Sequence, residues 1–63
     1  MKCSQALKIL KRDGWYMVSQ KGSHIKLAHK VKKGIIIFPY HGSSELGKGL
    51  AIKLFKQAGI KIW

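Results

Sequence analysis

Two hydrophobic periods alternate along the chain, and the switches between them divide it into five elements. Over residues 5–13 the period is helical: Ala6, Leu7, Ile9 and Leu10 fall on one side of a wheel, and Gln5, Lys8, Lys11 and Arg12 on the other. Ser4 is placed as the N-cap and Gly14 as the terminator, and Lys11 and Arg12 suit the negative end of the helix dipole. The period then becomes two. Residues 15–20 are aromatic and β-branched, with Trp15 and Met17 alternating with Tyr16 and Val18, which predicts a strand partly covered on both faces. Lys21, Gly22 and Ser23 supply a tight connection. Alternation resumes over residues 24–29, with Ile25 and Leu27 on one face and His24, Lys26 and Ala28 on the other.

A basic turn follows, with Lys30, Lys32 and Lys33 before Gly34. The run Ile35, Ile36, Ile37, Phe38 has the length of a strand, and Pro39 stops it. Its unbroken apolarity predicts either burial on both faces or a place beside the other strands with a helix above. Residues 39–47 read as a loop with Leu46 tucked beneath it. A second helix over residues 48–58 puts Leu50, Ala51, Leu54, Phe55 and Ala58 on one stripe, with Lys53, Lys56 and Gln57 off it; Ile52 does not fit. Gly59 ends that helix, and Ile60 is the apolar residue that commonly follows such a cap. The order is α-β-β-β-α. Short connections make the strands an antiparallel meander, with both helices expected on one face of the sheet: an α+β fold.

Length limits the rest. The 63 residues are read as one domain, 1–63, that buries roughly 60% of its unfolded surface. With 46% hydrophobic residues it is expected to fold. Cys3 is the sole cysteine, so neither an intrachain disulfide nor a thiolate metal site is expected, which suits a reducing cytoplasm. No apolar run approaches transmembrane length, and the residues behind Lys2 do not read as a signal peptide. Three histidines and two acids, none at paired ligand spacing, point away from a metal-dependent hydrolase; no metal and no cofactor is expected.

Charge changes the picture most. Thirteen Lys and Arg oppose only Asp13 and Glu45, for a formal net charge of +11, and the basic residues are spread along the whole chain. The folded domain therefore carries a field that favours nucleic acid over an acidic membrane surface or an acidic protein. Within that field, Lys21-Gly22-Ser23-His24 puts a glycine turn, a hydroxyl and an imidazole at the start of a strand, with Lys26 just beyond. Histidine both gives and takes protons near neutral pH, so a phosphodiester is the natural partner of a histidine flanked by lysines. The competing reading is a strand histidine that is merely polar and exposed.

Two motifs connect the chain to a known family. The first is Gln20-Lys21-Gly22-Ser23-His24. The second begins at Phe38-Pro39-Tyr40-His41-Gly42, continues through Glu45-Leu46 to Gly49, and ends at Lys56-Gln57-Ala58-Gly59-Ile60. In this order and at this length, the chain resembles the HicA family, small ribonuclease toxins of toxin–antitoxin pairs with a double-stranded-RNA-binding-domain-like α-β-β-β-α fold. The resemblance covers nearly the whole chain. It implies that His24 is the catalytic histidine, that mRNA is the substrate, and that a HicB-like antitoxin inhibits by covering His24. One departure is Gly49-Leu50-Ala51, where many members read Gly-Thr-Leu.

The expected chemistry is metal-independent transesterification at a ribose 2′-hydroxyl, with His24 moving a proton. His41 is the candidate second proton carrier; bracing its own loop is the competing role. Lys21 and Lys26 are the expected phosphate contacts, and Lys48 adds charge at the start of the second helix. Ser23 bonds a phosphate oxygen, orients His24 or bonds its own turn, and Gly22 either admits close approach of the RNA or adopts positive φ. His29 reads as surface, and Lys30, Lys32 and Lys33 as a mobile basic turn. Trp15, Tyr16 and Tyr40 are candidates for base stacking or for the core. Two other functions compete: a module that binds double-stranded RNA without cutting it, and, further behind, a cationic membrane-active peptide.

Overall fold

The structure is a computed structural model that describes residues 1–42 and 44–61. It contains α1 (Cys3–Arg12), β1 (Trp15–Lys21), β2 (His24–His29), β3 (Ile36–Pro39) and α2 (Lys48–Gln57), in the expected order. The strands form one antiparallel sheet, β1-β2-β3, with β2 in the middle. Trp15, Ile25, Leu27, Ile36 and Phe38 are buried on one sheet face, against Ala6, Leu7 and Leu10 of α1 and Ala51, Leu54 and Phe55 of α2. Both helices therefore cover the same face. The smallest dimension, 16 Å, fits one helix layer on one sheet layer, and no element of the described residues covers the far side.

That open face corrects two expectations. β1 is not covered on both sides, because Tyr16 and Val18 are exposed. In β3 the continuous apolar run resolves into alternation: Ile36 and Phe38 are buried, while Ile37 is 50% exposed. β3 thus lies beside the other strands with helix above one face only.

α1 begins earlier than its sequence signal, because its first N–H groups are satisfied from a distance. Lys2, not Ser4, is the N-cap residue. The N–H of Cys3 donates to Ser44 O (3.0 Å) and that of Ser4 to Gly42 O (3.1 Å). The Lys2 N–H donates to the Gln5 side-chain oxygen at 3.0 Å. In α2, Leu50 is exposed rather than part of the buried stripe, and Ile52 is half-buried.

The turn between β2 and β3 is also tied down, which corrects its expected mobility. His29 is not a surface residue: its side chain is 10% exposed and meets the Trp15 ring edge-on at 5.2 Å. The ring nitrogen Nδ1 accepts the N–H groups of Val31 and Lys32, both at 3.0 Å. Nε2 is therefore the protonated nitrogen and donates to Asp13 O at 2.7 Å. The Lys32 ammonium donates to the Asp13 carboxylate (2.5 Å) and to the carbonyls of Ala58 (2.8 Å) and Gly59 (3.4 Å). One ammonium thus joins the ends of both helices, where their dipoles are negative.

Candidate active site

The geometry around His24 starts with the hairpin. Lys21 and His24 are the last pair of the β1–β2 ladder, so Gly22 and Ser23 form a two-residue turn. Gly22 has φ +61° and Ser23 is not left-handed, which is the pattern of a turn with glycine at its first central position. A Cβ on Gly22 would meet nothing within 4 Å, so the glycine serves the turn's backbone conformation. The Gln20 side-chain amide braces the turn by donating to Gly22 O at 3.0 Å. Ser23 O accepts the Tyr40 N–H at 2.7 Å, extending the β2–β3 ladder past the His24–Pro39 pair.

Directly paired residues of an antiparallel sheet point to one face. His24, opposite Lys21 and Pro39, and Lys26, opposite Ser19 and Ile37, therefore share the open face. His24 is exposed, and among the described residues its imidazole has no hydrogen-bond partner. Lys21 and Lys26 are exposed as well. An exposed imidazole thus shares its face with two ammonium groups, and neither acidic side chain of the described residues is free to join them: Asp13 is held by Lys32, and Glu45 pairs with the N-terminal amine.

A β-bulge makes this row possible. Between Met17 and Ser19 the register shifts, leaving Val18 without a partner on β2. Strict alternation would place Lys21 on the face opposite Tyr16; the extra residue puts both on the face of His24. Nothing in the local sequence signals the bulge, which brings Ser19 to this face, and the apolar run around Ile37 reads as core although Ile37 lies here too, opposite Lys26.

The remaining candidates separate. His41 follows Tyr40 at the same end of the sheet as His24 and is exposed; its carbonyl accepts the Ser44 N–H at 3.1 Å. Lys48 is exposed at the first position of α2, in the helical layer and outside the row on the open face. Trp15 is buried, and Tyr40 is half-buried with its ring 6.5 Å from that of Phe38. Tyr16 is the candidate stacking residue that stays exposed, at 47%. Among the described residues, no three His, Cys, Asp or Glu side chains lie close enough to share a metal ion, and no helix is long and apolar enough to cross a membrane.

The sequence model of the family described as "HicA toxin of bacterial toxin-antitoxin" matches residues 3–60, which span every element of this fold. The chain belongs to the HicA toxin family. A HicA relative in Pseudomonas fluorescens (strain Pf0-1), named "Probable mRNA interferase HicA", is 39% identical over 61 residues, covering 97% of this chain and 98% of the relative. The HicA match takes in both the hairpin that carries His24 and the loop that carries His41.

Proposed function

We propose that this HicA toxin is an endoribonuclease that cuts mRNA with His24 as its catalytic proton carrier. The observation that carries the proposal is an exposed imidazole that shares a face with Lys21 and Lys26 and has, among the described residues, neither a hydrogen-bond partner nor an acidic side chain beside it. The ribose 2′-oxygen attacks the adjacent phosphorus as its proton leaves, and the bond from phosphorus to the 5′-oxygen breaks as that oxygen gains a proton. The products are a 2′,3′-cyclic phosphate and a 5′-hydroxyl, with no water consumed. His24 carries one of these protons, and His41, at the same end of the sheet, is the candidate for the other. Lys21 and Lys26 hold the phosphate and offset the charge it gains, while Lys48 is an outlying phosphate contact. Ser23 and Gly22 shape the turn that holds Lys21 opposite His24.

The relative's name, which states mRNA interference, supports the substrate. Its place of action is then the bacterial cytoplasm. A HicB-like antitoxin with an acidic surface would neutralise the toxin by covering His24 and the lysines beside it. Against binding without cleavage stands His24, which a reader of duplex shape does not need.

The test incubates purified protein with single-stranded RNA in excess chelator, beside His24→Ala and His41→Ala. His24→Ala is expected to lose about 100- to 10,000-fold in rate while keeping its melting temperature. His41→Ala should also slow cleavage, with the same melting temperature as wild type. Unchanged cleavage by His24→Ala would sink the assignment, and loss of cleavage in chelator would point to a metal.

A further inference from the structure

The open sheet face is more than a platform for lysines. Tyr16 and Ile37 are 47% and 50% exposed. Tyr16 pairs with Ala28 and Ile37 with Lys26, so both share the face of His24. A two-layer domain that left these residues bare for no purpose would expose apolar area without return. The face therefore combines two chemistries. One end bears His24, Lys21 and Lys26, which suit an anion; Ile37 opposite Lys26 and the Tyr16 ring beyond it suit flat apolar groups. Single-stranded RNA has both a charged backbone and unpaired bases. A duplex keeps its bases stacked inside and has no use for the apolar part.

We infer that single-stranded RNA runs along the open face of β2, with a base flanking the cut stacked on Tyr16. This rests on the nuclease reading above and names how that site holds its substrate. Ala28, opposite Tyr16, lies four residues beyond His24, about 13 Å along the strand. Lys26 is midway and faces the Ser19 hydroxyl, in place to hold an intervening phosphate. Sheets that bind RNA this way stack about two or three bases, a number this span accommodates. Tyr16 is a positioning residue: it selects for an unpaired strand and sets where the backbone lies against His24, without touching the reacting atoms.

The test compares wild type with Tyr16→Phe, Tyr16→Ala and Tyr16→Leu; leucine keeps an apolar side chain but has no aromatic face. Steady-state cleavage of short single-stranded RNAs is measured beside the affinity for a labelled 2′-O-methyl oligonucleotide, which lacks the attacking hydroxyl. Tyr16→Phe should match wild type. Tyr16→Ala and Tyr16→Leu should raise both KM and the Kd of the 2′-O-methyl strand by about 5- to 150-fold, with kcat less affected. Equal KM and Kd in all four proteins overturns the inference while leaving His24 catalysis intact. Loss of antitoxin binding alone, with RNA constants unchanged, also overturns it and makes the face a protein surface. A Tyr16-dependent Kd in a wild-type protein that cuts no RNA would support the platform and sink the nuclease reading.

Discussion

Tyr16 and Lys21 lie on the same face of β1 although they are five positions apart, an odd offset that plain alternation would send to opposite faces. The unpaired Val18 is the reason. On the near side of it Trp15, Tyr16 and Met17 pair with His29, Ala28 and Leu27; on the far side Ser19, Gln20 and Lys21 pair with Lys26, Ile25 and His24. Leu27 and Lys26 are adjacent on β2, so one residue of β1 is surplus. The bulge lets a buried Trp15 and an outward Lys21 coexist in one short strand.

Deleting Val18 should therefore be tolerated. The deletion removes the surplus residue and keeps every cross-strand partner, giving a regular ladder with Tyr16, Ser19 and Lys21 still on the face of His24. We expect a folded protein that retains RNA cleavage. What it loses is the local twist that makes β1 a poor template for another strand, so self-association should rise. Circular dichroism and sedimentation check this; an unfolded deletion protein would show that Val18 has a structural role beyond the bulge.

The two lysines beside His24 predict a salt signature. Binding of single-stranded RNA should weaken with salt, and Lys21→Ala or Lys26→Ala should each reduce the slope of log K against log salt by about 0.7, the value for one lost phosphate contact. Lys8→Ala removes the same charge from an exposed site in α1, on the helix layer, and should leave the slope nearly unchanged. Titrations at several salt concentrations measure it. Equal slope changes at all three positions would mean that the RNA does not distinguish the faces of the protein.

Much of this arrangement is legible in the sequence. Ile25 and Leu27 fixed which face of β2 is buried, and so sent His24 and Lys26 outward together. Glycines and the proline punctuated the elements because their backbone limits act locally. What stayed hidden depends on distant groups. Ser4 looks like the cap of α1, but the first N–H groups of that helix are met by carbonyls of Gly42 and Ser44, across the loop from β3. His29 looks like a strand-end surface residue because its partner, Asp13, sits at the end of another element. Ile37 reads as core from its neighbours, and only the absence of a second helix layer leaves it bare.

The contact between Gly14 and His29 gives a prediction about stability that is independent of RNA. Gly14 has φ +107°, and a Cβ there would stand 2.6 Å from Nε2 of His29. Gly14→Ala thus carries two costs, backbone strain and a clash with a ring that cannot easily withdraw, since both of its nitrogens are bonded to backbone. His29→Ala removes the ring and leaves two N–H groups without their acceptor, an expected loss of about 2–4 kcal/mol. In the double variant the clash is gone and strain remains. The cost of Gly14→Ala should therefore be smaller in the His29→Ala background than in the parent, by about 1 kcal/mol or more, within the usual coupling of touching residues. Denaturant unfolding of the four proteins completes the cycle. Additive costs would mean that the ring moves aside freely, and that the bonds joining His29 to Asp13, Val31 and Lys32 do not hold it in place.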